Sequence, residues 1–277
     1  MVKTRQPFSF WRFSLSMFAQ YAVLLVALRL IAPALWARQV AAGPLAFVLV
    51  FLAAHLATCF FEWFFHRYLL HSVTIGPLRW LAGAHRNHHS LTAIQLARDE
   101  AGPGRFVLNR YPITDEDQLE DAVFPIYALA VFWLVFTPAI VGVQFVFPHA
   151  PVLIGSYAAV TWSMTSYEIL HAIEHQPYSW WERATEHPRW GGLWKRLYGF
   201  HHFHHANVGA NEAISGFFGL PVADWVFGTY HQPAELLLHG RVATAKDFQV
   251  RAPWWFVVAW DRFNAKVADK AKTAASA

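Results

Sequence analysis

Apolar residues run along this chain in four long blocks rather than in strict alternation. Each reaches the roughly 20 residues that a helix needs to cross a bilayer, at about 14–36, 44–65, 122–147 and 152–171. Short connectors join the blocks in pairs: Ala37 to Gly43 in the first, Phe147-Pro148-His149-Ala150-Pro151 in the second. Connectors of this length hold no domain and suit tight helical hairpins. The pattern predicts an all-α integral membrane protein with four transmembrane helices in two hairpins, both tips on one side and a helical cap on the other.

Polar residues return between and after the blocks. Residues 90–121 contain Gly102-Pro103-Gly104 and an acidic run from Asp115 to Asp121, which reads as a solvated loop leading into the third span, with no chemistry of its own. Pro253-Trp254-Trp255-Phe256 reads as an interfacial anchor. The expected division is a cytoplasmic N-terminus over 1–13, a membrane domain over 14–263 and a flexible tail over 264–277. Ala32-Pro33-Ala34 has the small residues of a signal-peptide cleavage site, but the apolar stretch before it is long and is interrupted by Arg29.

Composition agrees with a lipid environment: 56% of residues are hydrophobic and 14% charged, against about 45–50% and about 25% in soluble domains. The net charge of +4 comes without any run of five or six basic residues, so nucleic acid is not an expected partner. Lys3, Arg5 and Arg12, then Arg67 to Arg110, then Arg183 to Lys272 fall on the side away from the hairpin tips, which carry only Arg38. The positive-inside bias makes that side cytoplasmic. The excess of Arg over Lys and the abundant Ala favour a bacterial cytoplasmic membrane over the endoplasmic reticulum. A single cysteine, Cys59, excludes an internal disulfide and zinc ligation of the CxxC type.

Histidine changes the picture most. Ten of the 16 histidines form four clusters: His66 with His71; His85, His88 and His89; His171 with His175; His201, His204 and His205. All four fall on the cytoplasmic side. Residues at i, i+3 and i+4 share a helix face, so each HxxHH presents three imidazoles in one direction and His171 joins His175. His66 and His71 are out of phase on an ideal helix, which calls for an unwound turn, a bulge or two different metals. Ten imidazoles exceed the needs of one ion, so two metals are expected, and imidazole alone does not choose among Zn, Cu, Fe and Ni. His55, inside the second span, and His149, at a tip, read as satisfied polar residues; His187, His231 and His239 lack partners at ligand spacing. Within HHFHH, His202 points away from the direction bracketed by His201, His204 and His205, which makes it an outer residue.

FEWFFHRYLLH at 61–71, HRNHH at 85–89, HAIEH at 171–175 and HHFHH at 201–205, followed by DWVFGTY at 224–230, resemble the fatty acid hydroxylase/sterol desaturase superfamily of integral-membrane di-iron oxygenases. The similarity covers about 45–231 and is greatest to the fatty acid hydroxylase branch. It implies that His66, His71, His85, His88, His89, His171, His175, His201, His204 and His205 ligate two irons in the cap, with zinc able to replace iron during purification. It further implies O2-dependent hydroxylation or desaturation of a membrane lipid, a fatty acyl or related chain, with sterol or carotenoid modification as the alternative. No flavin or haem motif is visible, so electrons are expected from a separate cytochrome b5-like protein or a ferredoxin with its reductase. No catalytic side chain is expected beyond the metal ligands.

Glu62, one turn before His66, and Glu168 and Glu174, beside the third cluster, are candidates to orient imidazole N–H groups; Asn207, Asn211 and Asp224 are further candidates near the last cluster. Trp63, Trp80, Trp162 and Tyr167 are candidates to guide an apolar substrate between the hairpins. A metal transporter would place ionisable residues at the midplane, where only Arg29 and His55 lie away from span ends. A zinc hydrolase would leave most of the ten histidines without a role.

Overall fold

A computed structural model describes residues 8–72, 79–98, 105–115, 118, 123–233 and 244–276. Helix α1 (Phe10–Ile31) starts at the Ser9 cap, whose hydroxyl accepts from Arg12 N–H. It stops at Ala32, which leaves the helical region (φ −132°, ψ 63°) because Pro33 follows. Pro33 opens the short helix α2 (Pro33–Ala41), and Gly43, at φ +82°, turns the chain into α3 (Gly43–Phe65). The first apolar block is therefore two helices, not one continuous span to residue 36. A π-helix, His66–Leu70, extends α3. The second pair is α5 (Ala128–Val146) and α6 (Val152–Glu174), with α4 (Arg79–Leu91) between the pairs.

Among the described residues, three helical segments are long and apolar enough to cross a membrane: Phe10–Ile31, Gly43–Leu70 and Ala128–Val146. The fourth block, α6, is as long but more polar, and it is the buried centre of the bundle, packed against α1, α3 and α5. Its Thr161 and Thr165 hydroxyls donate to the carbonyls of Tyr157 and Thr161 on the preceding turn, so they need no outside partner. A small residue lets the two central helices touch: a Cβ on Gly155 would lie 2.7 Å from Val50 Cγ1 and 3.0 Å from Val50 Cβ.

Both tips do lie at one end. Gln39 of α2 is buried there; its amide donates to Gln144 Oε1 at 2.8 Å and to the Ala150 carbonyl at 3.3 Å, while its carbonyl accepts from Leu153 N–H at 3.0 Å. One glutamine thus accepts from Leu153 and Ile154 N–H in the buried N-terminal turn of α6 and ties the two hairpins together.

The remaining elements gather at the opposite end, around the π-helix and the C-terminal end of α6: α4, the antiparallel pair β1 (Ile94–Arg98) and β2 (Arg105–Asn109), α7 (Tyr178–Thr185), α8 (Gly191–Ala206), α9 (Val222–Phe227) and α10 (Trp255–Ser276). Two expectations change here. The 90–121 segment is not a plain loop: β1 and β2 pair from Ile94 with Asn109 to Arg98 with Arg105, and Ile94 and Val107 join a core with Tyr111, Trp181 and Tyr198. Most of its acidic run lies outside the described residues. The expected tail 264–277 is helical through Ser276 as the second half of α10. That helix is fixed by Asp261, whose carboxylate takes a bidentate pair from Arg67 at 3.0 and 2.8 Å and a bond from Tyr68 at 2.9 Å. Trp254 and Trp255, just before and at its start, are exposed, as an interfacial anchor requires.

Gly155→Ala should lower the stability of the detergent-solubilised protein by about 1–3 kcal/mol, the usual cost of overpacking. Gly142→Ala, where a Cβ meets nothing within 4 Å, should leave it unchanged. Equal thermal midpoints for the two variants would contradict the close α3–α6 contact.

Candidate metal centre

The ten clustered histidines form two groups of five. His66, His71, His85, His89 and His204 make one (group A), and His88, His171, His175, His201 and His205 the other (group B); within each, one ring nitrogen per residue lies within 4.8 Å of all the others. The HxxHH spacing does more than aim three rings one way. On α4, His85 and His89 serve group A while His88 serves group B; on α8, His201 and His205 serve group B while His204 serves group A. Positions i and i+4 are about 40° apart on a helix, and i+3 lies on the other side of i. Each helix therefore gives two rings to one group and the middle ring to the other. The His89 and His205 rings stack at 4.1 Å where the groups meet.

The irregularity needed between His66 and His71 is the π-helix, closed by His71 N–H donating to the His66 carbonyl at 3.1 Å. The extra residue in the turn brings the two rings to 4.9 Å, so i and i+5 act as neighbours.

Hydrogen bonds on the far side of four rings decide which nitrogen faces inward. His66 Nδ1 meets the Glu212 carbonyl at 2.7 Å, His204 Nδ1 the Ala210 carbonyl at 2.7 Å, and His175 Nδ1 the Tyr111 carbonyl at 2.7 Å. A carbonyl only accepts, so these Nδ1 atoms carry the proton. His205 Nδ1 meets Thr92 Oγ1 at 3.0 Å, and because that hydroxyl donates to the His88 carbonyl, His205 is again the donor. Two bare Nε2 lone pairs per group are thereby turned toward the other rings. Seven Nε2···Nε2 separations between 2.9 and 3.2 Å complete the groups, from His66–His85 at 2.9 Å to His171–His88 and His201–His175 at 3.2 Å. A bare Nε2 in a buried space needs either a donor N–H or a cation, and two such atoms in each group face their neighbours' ring nitrogens. Ligands about 2.1 Å from one ion span such distances at angles near 90°. Burial, reinforced by neighbouring imidazoles, holds His85, His88, His89, His201, His204 and His205 well below the ordinary histidine pKa, which keeps them in the neutral, ligating form.

The carboxylates and amides around the groups differ from expectation. Glu62 bonds no imidazole: it accepts from Ser215 N–H, the Ser215 hydroxyl and Gly216 N–H. Glu168 accepts from Phe124 N–H at 2.9 Å. Asn207 ends α8 by donating to the Phe248 carbonyl and accepting from Gly209 N–H, and Asn211 bonds the backbone of Phe200 and His231. Asp224 acts one step removed, accepting from Glu212 N–H, Ala213 N–H and the Thr229 hydroxyl, and so fixing the chain whose carbonyl serves His66. Glu174 is the one expected carboxylate beside a ring, with Oε2 4.0 Å from His201 Nδ1. His202 is buried outside both groups, stacked on Tyr198 at 4.7 Å and bonded to Asn109 at 3.0 Å.

Sequence reasoning missed Glu212, whose carboxylate lies 3.8 Å from His66 Nδ1 and pairs with Arg67 at 2.7 Å; burial pushes its pKa up against the pull of that guanidinium. It also missed Thr92, Tyr111 and Ala210. Two of these act through carbonyls, which every residue type offers, so only Thr92, at i+4 from His88, left a side-chain signal.

An apolar cavity that is half open to the surroundings lies between α3, α5 and α6. Phe61, Phe65, Leu70, Phe132, Val160 and Met164 line it together with His66 and Tyr167, and Tyr167 is stacked on His171 at 5.6 Å. The cavity thus borders a ring of group A and a residue packed on group B. Of the three proposed guides with described side chains, only Tyr167 is in its wall: Trp63 is buried and donates to Thr229 at 2.8 Å, and Trp162 is partly exposed; the Trp80 side chain lies outside the described residues.

The chain matches no family model, no curated protein and no solved structure. What it does must be argued from these residues.

Elemental analysis of the purified protein should find two transition-metal ions per chain. His175→Ala and His204→Ala should each remove metal, whereas His202→Ala should retain both ions. Complete metal loss in His202→Ala would show that the two five-histidine groups are wrongly drawn.

Proposed function

We propose that this chain is an integral membrane enzyme that uses O2 to hydroxylate or desaturate the hydrocarbon chain of a membrane lipid at a di-iron centre. The observation that carries the reading is the apolar cavity whose lining includes His66 and Tyr167, beside two five-imidazole groups. Hydrocarbon C–H bonds offer no acidic or basic handle, so side chains alone do not functionalise them. Two irons, one held by group A and one by group B, supply that oxidising chemistry when bound.

The chain's own residues do the remaining work. The phenylalanines and Leu70, Val160 and Met164 hold an acyl chain and exclude water from the cavity, and the position of the target carbon relative to the two groups selects alcohol or alkene. The carbonyls of Tyr111, Ala210 and Glu212 and the Thr92 hydroxyl keep the ring protons on Nδ1, so Nε2 stays available.

In this reading α6 is the fourth span. It carries more polar groups than a lipid-facing helix because α1, α3 and α5 surround it. The Lys and Arg distribution makes the histidine end cytoplasmic, in a bacterial plasma membrane, and a separate cytochrome b5-like protein or ferredoxin delivers electrons there. Transport of a metal is less well supported, since both ring nitrogens of the intramembrane His55 are engaged, by Ser163 and by Phe218 N–H.

Lipid extracts of cells expressing the chain in air should contain species heavier by one oxygen or lighter by two hydrogens than those of control cells, and His204→Ala should abolish them. Val160→Trp, which fills the cavity wall, should lower product while leaving metal content intact. Products that form without O2 would refute the oxygenase reading.

A further inference from the structure

The segment between α8 and α9 has little regular structure, yet it runs beside the middle of α3. Phe218 N–H donates to His55 Nε2 at 3.2 Å, and the Phe218 ring lies 4.5 Å from His55, 6.0 Å from Trp162 and 6.3 Å from Phe51. His55 stands 12 residues after Gly43 and 11 before His66, about 18 and 16 Å along a helix that rises about 1.5 Å per residue. A hydrocarbon core is about 30 Å thick. Any bilayer crossed by α3 therefore encloses the level of Phe218.

Irregular backbone survives at that depth only where protein groups replace water as hydrogen-bond partners. Glu62 accepts from Ser215 N–H at 2.7 Å, the Ser215 hydroxyl at 2.6 Å and Gly216 N–H at 3.2 Å. Asp224 accepts from Glu212 and Ala213 N–H at 2.8 and 2.9 Å. The N–H groups of Phe217, Gly219 and Leu220 close a turn on the carbonyls of Leu220, Ser215 and Phe217. Glycine is required in that turn: Gly216 has φ +51°, and a Cβ on it would fall 2.2 Å from the Leu220 oxygen. His55 is itself supported, its Nδ1 meeting Ser163 Oγ at 2.8 Å and that oxygen meeting Thr58 Oγ1 at 2.6 Å. Polar groups are thus turned toward α3, while Phe218 and Leu220 at the tip are 47% and 50% exposed.

We infer that residues 211–221 form a re-entrant loop inserted among phospholipid acyl chains, with Glu62, His55 and Asp224 standing in for water along its backbone. The inference rests on α3 spanning the bilayer, as in the proposed function. It also makes the lipid-embedded tip and one metal group neighbours on a single stretch of chain, because the carbonyls of Ala210 and Glu212 hold His204 and His66.

The test uses the full chain with Cys59→Ala, reconstituted in phosphatidylcholine vesicles and labelled with bimane at Phe218→Cys. Leu49→Cys, on the 59% exposed surface of α3, is the lipid control, and Trp190→Cys, 48% exposed at the histidine end, is the aqueous control. Acyl-brominated phosphatidylcholine should quench the label at 218 as strongly as at 49, and iodide should reach only the label at 190. Quenching at 49 with iodide access at 218 would place the loop in water and overturn the inference. Quenching at 49 with neither quencher reaching 218 would mean that protein covers the tip, and would overturn it too. No quenching at 49 would remove the membrane-spanning reading itself. Adding Glu62→Ala should expose 218 to iodide and leave 49 unchanged; undiminished lipid quenching at 218 would overturn the role given to this carboxylate.

Discussion

The constraint on which the structure depends is electrostatic: ten imidazoles are brought together, and four of them, His66, His175, His204 and His205, have a bare Nε2 turned toward the others. A neutral imidazole has one donor and one acceptor nitrogen, and group A or group B holds a cation only if the donor is turned outward. That demand explains why carbonyls of Tyr111, Ala210 and Glu212 sit behind rings of His175, His204 and His66. None of these carbonyls is in a regular helix, where it would already be committed to an N–H four residues on. The segments after α8 and after β2 are irregular at the points where they serve the site.

The same demand reaches into the bundle. A straight α3 would aim His66 and His71 in different directions, and the π-helix removes that mismatch at the end of the span. The Arg67 guanidinium in that turn is then tied to Asp261 of α10 and to Glu212. Through Glu212, Asp224 and Glu62, the site is continuous with the loop that lies against α3. His66 is part of the cavity lining, so the helices that form its apolar wall also carry rings that border it. In the proposed chemistry, this continuity places a hydrocarbon chain beside the metals.

Much of this was legible from one dimension. The apolar blocks mark α3 and α6 closely because helix length and hydrophobicity are local properties, whereas the third block, 122–147, starts about six residues before α5. The first block was read too long because its hydropathy continues through Pro33, whereas the backbone does not. The HxxHH repeats exposed the rings that gather, since i, i+3 and i+4 adjacency belongs to the helix itself. The strand pair escaped notice because each strand has only five residues and is stabilised by a partner and by packing on Trp181 and Tyr198 rather than by its own pattern.

The sequence by itself determined the membrane-type helices, the level at which the histidines collect and the phase mismatch between His66 and His71. All three follow from spacing along a helix and from composition. Only the tertiary structure decided which histidines share a group, which atoms orient them, and that Glu62 and His55 hold a loop rather than a ring. Those choices depend on distances between residues remote in sequence, such as the 2.7 Å between His66 and the carbonyl of Glu212. A carbonyl has no side-chain identity, so nothing in the letters of residues 210–212 announces that two of them face imidazoles; packing places them there.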